Sequence, residues 1–333
     1  MKRSTVKAVS VGLVLILLAS VAALLVSGNQ SDYPAGSAGP EVTIAVKDGE
    51  SGSSIALQLQ GAGVVQSSKS FNSLALKDSR SRGISPGNHR IESHIPVKQA
   101  LDELLDPARN TGLIRVIEGM TVSDVTQLLS AANITGRVGQ EKVPDFLGKL
   151  NSYEGTLFPA TYAFAAGTST HDALAAMIDK FQQTAFSIGL DKGANQYSPY
   201  EILKIASLIQ IEGDLADYAK VARVIYNRLK IGMALQLNST VQYANNSRGK
   251  IALSRNATMV KSPFNTYIHA GLPPTPISNP GQDALLAAMN PAAGDWLYFI
   301  TVKPHDTRFT KNFDEFQSWV ALYNKNLAAG AFK

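Results

Sequence analysis

The sequence predicts an α+β protein, with an N-terminal membrane-spanning helix, a small mixed module and a larger helix-rich domain. Three observations carry that expectation. Residues Ala8 to Ser31 hold no charge, and Val9 to Val26 is rich in Leu, Val and Ala; eighteen or more apolar residues suffice to cross a hydrocarbon core of about 30 Å. From Val42 to Ile95 the apolar spacing runs strand, helix, helix, strand. From Tyr153 onward the spacing becomes predominantly helical, closing with one strand and a last helix. At 333 residues, 45% hydrophobic and 17% charged, the chain is long enough for two modest domains with cores.

Lys2, Arg3 and Lys7 precede the apolar span. They argue for a cytoplasmic N-terminus and an anchor over residues 8–27, with the bulk of the chain outside. The rival is a cleaved signal peptide, because Ala19, Ala22 and Ala23 offer a small-residue site. Residues 28–41 are rich in Gly, Ser, Pro and Ala and read as a flexible tether. Beyond it, Val42 to Val46 alternates as a strand, Ser54 to Gln60 and Phe71 to Lys77 have helical spacing, and the turn Ser85 to Asn88 leads into a strand at His89 to Glu92. Val97 to Leu105 reads as a helix and Leu113 to Ile117 as a strand. Thr121 and Asp124 have the cap spacing that opens a helix to about Ala132. Gly136 to Asn151 favours no element. Further helices are expected at Thr170 to Ile188, Pro199 to Glu212, Ala216 to Ile231, Gly281 to Met289 and Phe313 to Asn324, with a strand at Trp296 to Val302.

Composition excludes several classes. There is no cysteine, hence no lipoprotein anchor, disulfide framework or thiol chemistry. The five histidines (His89, His94, His171, His269 and His305) lack metal-ligand spacing, so neither a metal nor another cofactor is expected. A formal charge of +5 without a dense Lys/Arg block argues against nucleic acid as a partner.

One carboxylate stands out. Along Ser198 to Glu212, the residues Ile202, Ile205, Ala206, Leu208 and Ile209 fall on one helix face, and Glu212 projects onto that face. A carboxyl group there loses hydration and holds its proton toward neutral pH, as a general acid must. The bland reading is a Glu at a frayed helix end that bends out to water before Gly213. Glu201 shares the face, but Ser198-Pro-Tyr-Glu201 is a capping box, and eleven residues of helix place the two roughly 16 Å apart, too far for paired glycosidase carboxylates. Asp214 and Asp217 lie nearer, although acidic residues in the first turn of the next helix serve its dipole.

The text around Glu212 forms an ordered series. Ala206-Ser-Leu-Ile-Gln-Ile-Glu212 is followed by Val221-Ala-Arg-Val-Ile-Tyr-Asn-Arg-Leu229, Ile231-Gly-Met-Ala-Leu-Gln236 and Ser239-Thr-Val-Gln-Tyr243. Then come Phe264-Asn-Thr-Tyr267, Gly271-Leu-Pro-Pro-Thr-Pro-Ile277 and Asn279-Pro-Gly281, with Glu154-Gly-Thr-Leu-Phe-Pro-Ala-Thr-Tyr162 upstream. The series resembles the MltG (YceG-like) family of membrane-anchored endolytic murein transglycosylases. The resemblance implies a LysM-like module with its connections at 42–110 and a YceG-like catalytic domain at 111–333. It implies Glu212 as the catalytic acid, cutting within glycan strands to leave 1,6-anhydro-N-acetylmuramic ends and so terminating or trimming nascent strands. Peptidoglycan glycan strands are then the substrate, the cytoplasmic membrane is the site of anchoring, and peptidoglycan synthases are candidate partners. Asn227, Arg228, Gln236, Asn238, Thr240, Asn265, Thr266 and Tyr267 are the expected sugar contacts, and the proline-rich 271–277 a stiff wall of the groove.

The chain departs from the family pattern at three places. Gln210 stands where the family has the first Glu of a Glu-x-Glu pair; it projects away from Glu212 and reads as a support or solvent group. Asn238-Ser239 replaces Asp-Pro, and Phe316 occupies a position that often carries His. Two other readings therefore stay open: a non-catalytic anchored scaffold that binds glycan, and a muramidase using Asp214 or Asp217. An acyltransferase is unsupported, since Ser4-Thr-Val-Lys7 precedes the span.

Overall fold

The computed structural model describes residues 32–47, 49–138, 141–150, 152–164, 167–247 and 257–332. The expected anchor at 8–27 lies outside the described residues. Among those described, no helix is long and apolar enough to cross a membrane. The chain divides into two compact units, one formed by residues up to 113 with 163–166 and the other by 114–162 and 167–333.

In the first unit, β1 (Glu41–Val46) pairs antiparallel with β2 (Gly87–Glu92), which pairs in turn with the two-residue β3 (Asn110–Thr111). Helices α1 (Gly52–Gly61), α2 (Ser68–Lys77) and α3 (Val97–Leu105) complete it. Ser51 and Ser67 cap α1 and α2 by accepting the N–H groups of Ser54 and Ser70. The core joins Ile44 and Val46 of the sheet to Ile55, Leu59, Phe71, Leu101 and Leu104 of the helices. The stretch expected as a flexible tether is pinned from Asp32 onward. Asp32 accepts the N–H of Val97, Gly39 donates to Ser93 O at 2.7 Å, and the Ser37 hydroxyl donates to His94 O at 2.6 Å. Its small polar residues make a strap of hydrogen bonds, so any free tether is shorter than 28–41.

The second unit contains α4 (Val122–Ala131), α5 (Thr170–Ile188), α6 (Pro199–Glu212), α7 (Tyr218–Lys230), α8 (Asn238–Ala244), α9 (Gln282–Met289) and α10 (Phe313–Ala328). It also holds the pair β4 (Leu113–Val116) with β5 (Ala160–Ala163) and the antiparallel hairpin β6 (Tyr298–Lys303) with β7 (Asp306–Thr310). Helix α6 is the centre of the core: Ile202, Leu203, Ile205, Ala206, Leu208 and Ile209 are all fully buried, and α7 and α9 pack along it. Its start is the expected capping box. Ser198 accepts the Glu201 N–H, and Glu201 accepts the Ser198 N–H at 2.8 Å and its hydroxyl at 2.7 Å. These donors hold the Glu201 carboxyl below the usual carboxylate range. The same arrangement starts α4 with Thr121 and Asp124.

Loops are fixed to this core by buried polar groups. Asn279 accepts the Leu157 N–H at 2.9 Å and donates through its side chain to Met120 O at 2.8 Å. Ser207 accepts the Ile277 N–H through its hydroxyl, while its carbonyl receives the Ser278 hydroxyl. Glu154 is 5% exposed and receives the Val122 N–H, opening α4, and the Tyr243 hydroxyl of α8. The motifs at Glu154 and Asn279 thus join distant segments of the chain. Gly155, at φ +88°, is needed where it is, because a Cβ there would lie 2.7 Å from Pro276.

Candidate active site

Glu212 is the last residue of α6. It keeps a strip of surface at the mouth of a cleft, while its carboxyl group is packed round by protein. Burial raises the pKa of that group above the ordinary glutamate value. Two influences work the other way: hydrogen bonding from Ser239, whose N–H donates to Oε1 at 3.1 Å, and the positive charge of Arg228. The carboxyl therefore carries its proton to a higher pH than an exposed glutamate, with one oxygen held by a backbone donor.

The cleft, of about 620 Å³, is lined by Glu212, Arg228, Gln236, Asn238 and Tyr267 on one side. Gln236 and Asn238 reach it because Leu235 and Leu237 are buried in the core while the residues alternating with them are exposed. Gln236 adopts a left-handed backbone, φ +48°, uncommon for a residue with a side chain. The Tyr267 hydroxyl donates to Asn238 Oδ1 at 2.7 Å, and burial followed by the Glu212 charge raises the Tyr267 pKa.

Arg228 is 6% exposed. Its Nε donates to Leu297 O at 2.6 Å and one terminal nitrogen donates to Leu235 O at 2.5 Å. The guanidinium also lies over the Tyr298 ring, 5.5 Å from its centre. It therefore ties the segment before α8 and the approach to β6 to α7 while placing positive charge toward Glu212.

Aromatic rings line the rest of the cleft. Tyr298 of β6 stacks on Phe316 of α10 with ring centres 5.2 Å apart and packs on Phe313 at 5.5 Å. All three rings line the cleft, and Phe313 is 52% exposed. Sequence reasoning missed this wall. The sequence marks Phe316 only as a departure from the family pattern and gives Tyr298 and Phe313 no role at the site. The signal was a strand with exposed aromatics followed by a helix opening on Phe, but nothing local says that they face Glu212.

Four of the expected sugar contacts lie away from the cleft surface. Thr240, Asn265 and Thr266 are 0%, 0% and 2% exposed, leaving no surface with which to hold a sugar. They build the floor instead. The Thr240 and Thr266 hydroxyls meet at 2.9 Å, the Leu237 N–H donates to Thr266, and the Asn265 amide donates to the carbonyls of Thr258 and Val260. Asn227 does not line the cleft. It donates to Trp296 O at 2.9 Å and to Gly294 O at 3.3 Å, steadying the approach to β6. Gln210 is a support: it accepts the Gly281 N–H and donates to the Tyr218 hydroxyl.

Neither rival carboxylate lines the cleft. Asp214 accepts from His305 Nδ1 at 3.1 Å, and Asp217 pairs with Lys220 at 3.4 Å. Among the described residues no cluster of His, Cys, Asp and Glu could hold a metal ion.

Residues 44–321 match the model of the YceG-like family. The endolytic murein transglycosylase of Bacillus subtilis is 30% identical over 298 residues, 82% of each chain. That of Streptococcus pneumoniae is 28% identical over 302 residues, which cover 78% of this chain and 54% of the streptococcal protein. A crystal structure of a YceG-like protein from Listeria monocytogenes superposes with a TM-score of 0.56 at 24% identity, covering 84% of this chain and 98% of that one, and the two share a fold.

If Arg228 joins the two walls, Arg228→Lys keeps the charge but loses the planar fork that serves two carbonyls at once. The loss expected in thermal or denaturant unfolding is about 1–3 kcal/mol, the cost of leaving a buried acceptor unpaired. Unchanged stability would contradict that role.

Proposed function

The chain belongs to the YceG-like family, and we propose that it is an endolytic murein transglycosylase with Glu212 as its general acid. The observation that carries this reading is a single carboxyl group, its pKa raised by burial, in a cleft that is also lined by aromatic rings. Glycosidic bond cleavage needs an acid that is still protonated at working pH. N-acetylated sugars offer apolar C–H faces that suit the rings of Tyr298, Phe313 and Phe316. Gln236, Asn238 and Tyr267 supply hydrogen bonds beside the acid.

The chemistry runs in two steps. Glu212 gives its proton to the oxygen linking muramic C1 to the next sugar; the C1–O bond breaks, its electron pair staying with that oxygen. The positive charge left on the muramyl ring is stabilised by the sugar's own acetamido group. The muramyl 6-hydroxyl oxygen then attacks C1, and its proton returns to the Glu212 carboxylate. No water is added and no second carboxylate is required, which fits Asp214 and Asp217 being paired elsewhere. Holding the 6-hydroxyl near C1 makes the second step intramolecular.

The first unit is read as a LysM-like module. Its strand–helix–helix–strand order supports this, as does a groove of about 680 Å³ with Lys47, Glu50, Asn72 and Arg82 in its lining, groups able to hydrogen-bond a glycan. The uncharged span at 8–27 behind Lys2, Arg3 and Lys7 supports a single-pass anchor with the rest of the chain outside the cytoplasmic membrane.

Incubated with isolated peptidoglycan, the protein is expected to release internally cut strands ending in 1,6-anhydro-N-acetylmuramic acid, read by mass spectrometry. Ends carrying an added water would show hydrolysis and overturn the reading.

A further inference from the structure

We infer that Ser239 is a positioning residue for Glu212, its backbone N–H and its hydroxyl together holding the carboxyl group so that the transferable proton resides on Oε2. The inference rests on the reading of Glu212 as the general acid and says how that acid is held.

The N–H contact is direct, 3.1 Å to Oε1. A backbone N–H can only donate. In the neutral acid its partner is therefore the better acceptor, the carbonyl-type oxygen, and the acidic hydrogen is left to the other one. In the anion the same N–H bonds a charged oxygen, a stronger interaction. Oε1 thus keeps one partner through the cycle while Oε2 loses and regains the proton, and the side chain need not turn over between the two steps.

The Ser239 hydroxyl is the second half of the device. Ser239 is 4% exposed, and its oxygen is buried with no well-aligned hydrogen bond to any described residue. It lies beside the Glu212 carboxyl, a looser contact than the N–H bond, where its hydrogen favours the charged form. Its neighbours Thr240 and Thr266 satisfy each other and do not call on it. A buried hydroxyl beside the proposed acid, with no other hydrogen bond to a described residue, has a local role in tuning that acid.

Position 239 can serve because of where it falls in α8. It is the second helical residue, so its N–H has no partner within the helix and is free to point at Glu212. The hydrogen bonds of Thr266 to Leu237 and Thr240 fix this first turn against the floor. Among the described residues, the charged and titratable groups that act on Glu212 or lie beside those that do are few. Arg228 comes from α7, Tyr267 from the loop after Asn265, and Tyr298 of β6 lies against Arg228. Helix α8 brings only Asn238 and Ser239, both uncharged. Asp283 of α9 acts on Tyr218 instead. Arg228 favours the charged form from a distance; Ser239 is the group that touches it.

The test follows the Ser239 amide by ¹⁵N–¹H NMR of the full-length chain across pH, beside pH–rate profiles on isolated peptidoglycan. The amide proton is expected to shift with a midpoint above the ordinary glutamate range and to become flat in Glu212→Gln. The descending limb of the rate profile, where the acid loses its proton, is expected at the same midpoint. It should move to higher pH in Ser239→Ala, which keeps the N–H, and further in Ser239→Pro, which removes both donors. Proline is compatible with the first turn of a helix, where its missing N–H breaks no helical bond. A role confined to packing would lower stability in these variants without moving the limb. A Ser239 amide that does not sense Glu212 ionisation, or limbs that coincide in all three proteins, would overturn the inference. If the amide titrates in a chain that makes no anhydro product, the contact stands and the functional reading fails.

Discussion

The carboxyl group of Glu212 is largely withdrawn from water at the end of α6, a helix whose apolar face is fully buried, and the surrounding structure is organised by that fact. A carboxyl group placed there unaided would remain neutral and be a poor base. Two features give some of that back: the N–H of Ser239 on one oxygen and the positive charge of Arg228. Burial raises the pKa while these two influences lower it, and a group that both gives and takes a proton within one turnover requires both states.

The positions of Ser239 and Arg228 rest in turn on buried polar contacts rather than on apolar packing alone. Thr240, Thr266 and Asn265 lock the loop after residue 257 against the first turn of α8. Arg223, Asn227 and Arg228 of α7 all donate to backbone carbonyls between Pro291 and Leu297, the stretch that leads into β6. The backbone that leads to Tyr298 is therefore held by one helix, and Phe313 and Phe316 pack on Tyr298 from α10. That explains the run of polar residues in α7, a helix otherwise occupied with the core.

Local features were readable in the chain. The Ser198–Glu201 and Thr121–Asp124 capping boxes, the burial of α6 and the arrival of Glu212 on its apolar face follow from helical periodicity and cap chemistry, which act over four residues. Interactions across the fold were not. The short helix α8 carries only seven residues and no side-chain cap, so periodicity could not reveal it. Strand β7 pairs with β6 through a two-residue turn at Pro304-His305, a signal too slight to mark a hairpin. Thr240, Asn265 and Thr266 were expected to face sugar because their side chains can hydrogen-bond. Their partners proved to be one another and nearby backbone, which residue type cannot reveal. The aromatic wall was missed for the converse reason, since Tyr298 and Phe316 are far in sequence from Glu212 and meet it only through tertiary closure. Residues 32–40 have the composition of a linker but are held by specific hydrogen bonds, and composition does not report those.

The central claim is that Glu212, and not the other glutamate of its helix, delivers the proton. The most direct measurement compares release of anhydro-ended glycan by Glu212→Gln and Glu201→Gln against the parent chain, with unfolding followed in parallel. An amide at 212 cannot protonate the leaving oxygen, so a rate loss of at least about 10² is expected. Folding should survive, since the replacement is nearly isosteric and relieves a buried acid. Glutamine at 201 can still close the capping box, so that variant should keep most of its activity. Wild-type turnover in Glu212→Gln, or an equal loss in both variants, would contradict the account.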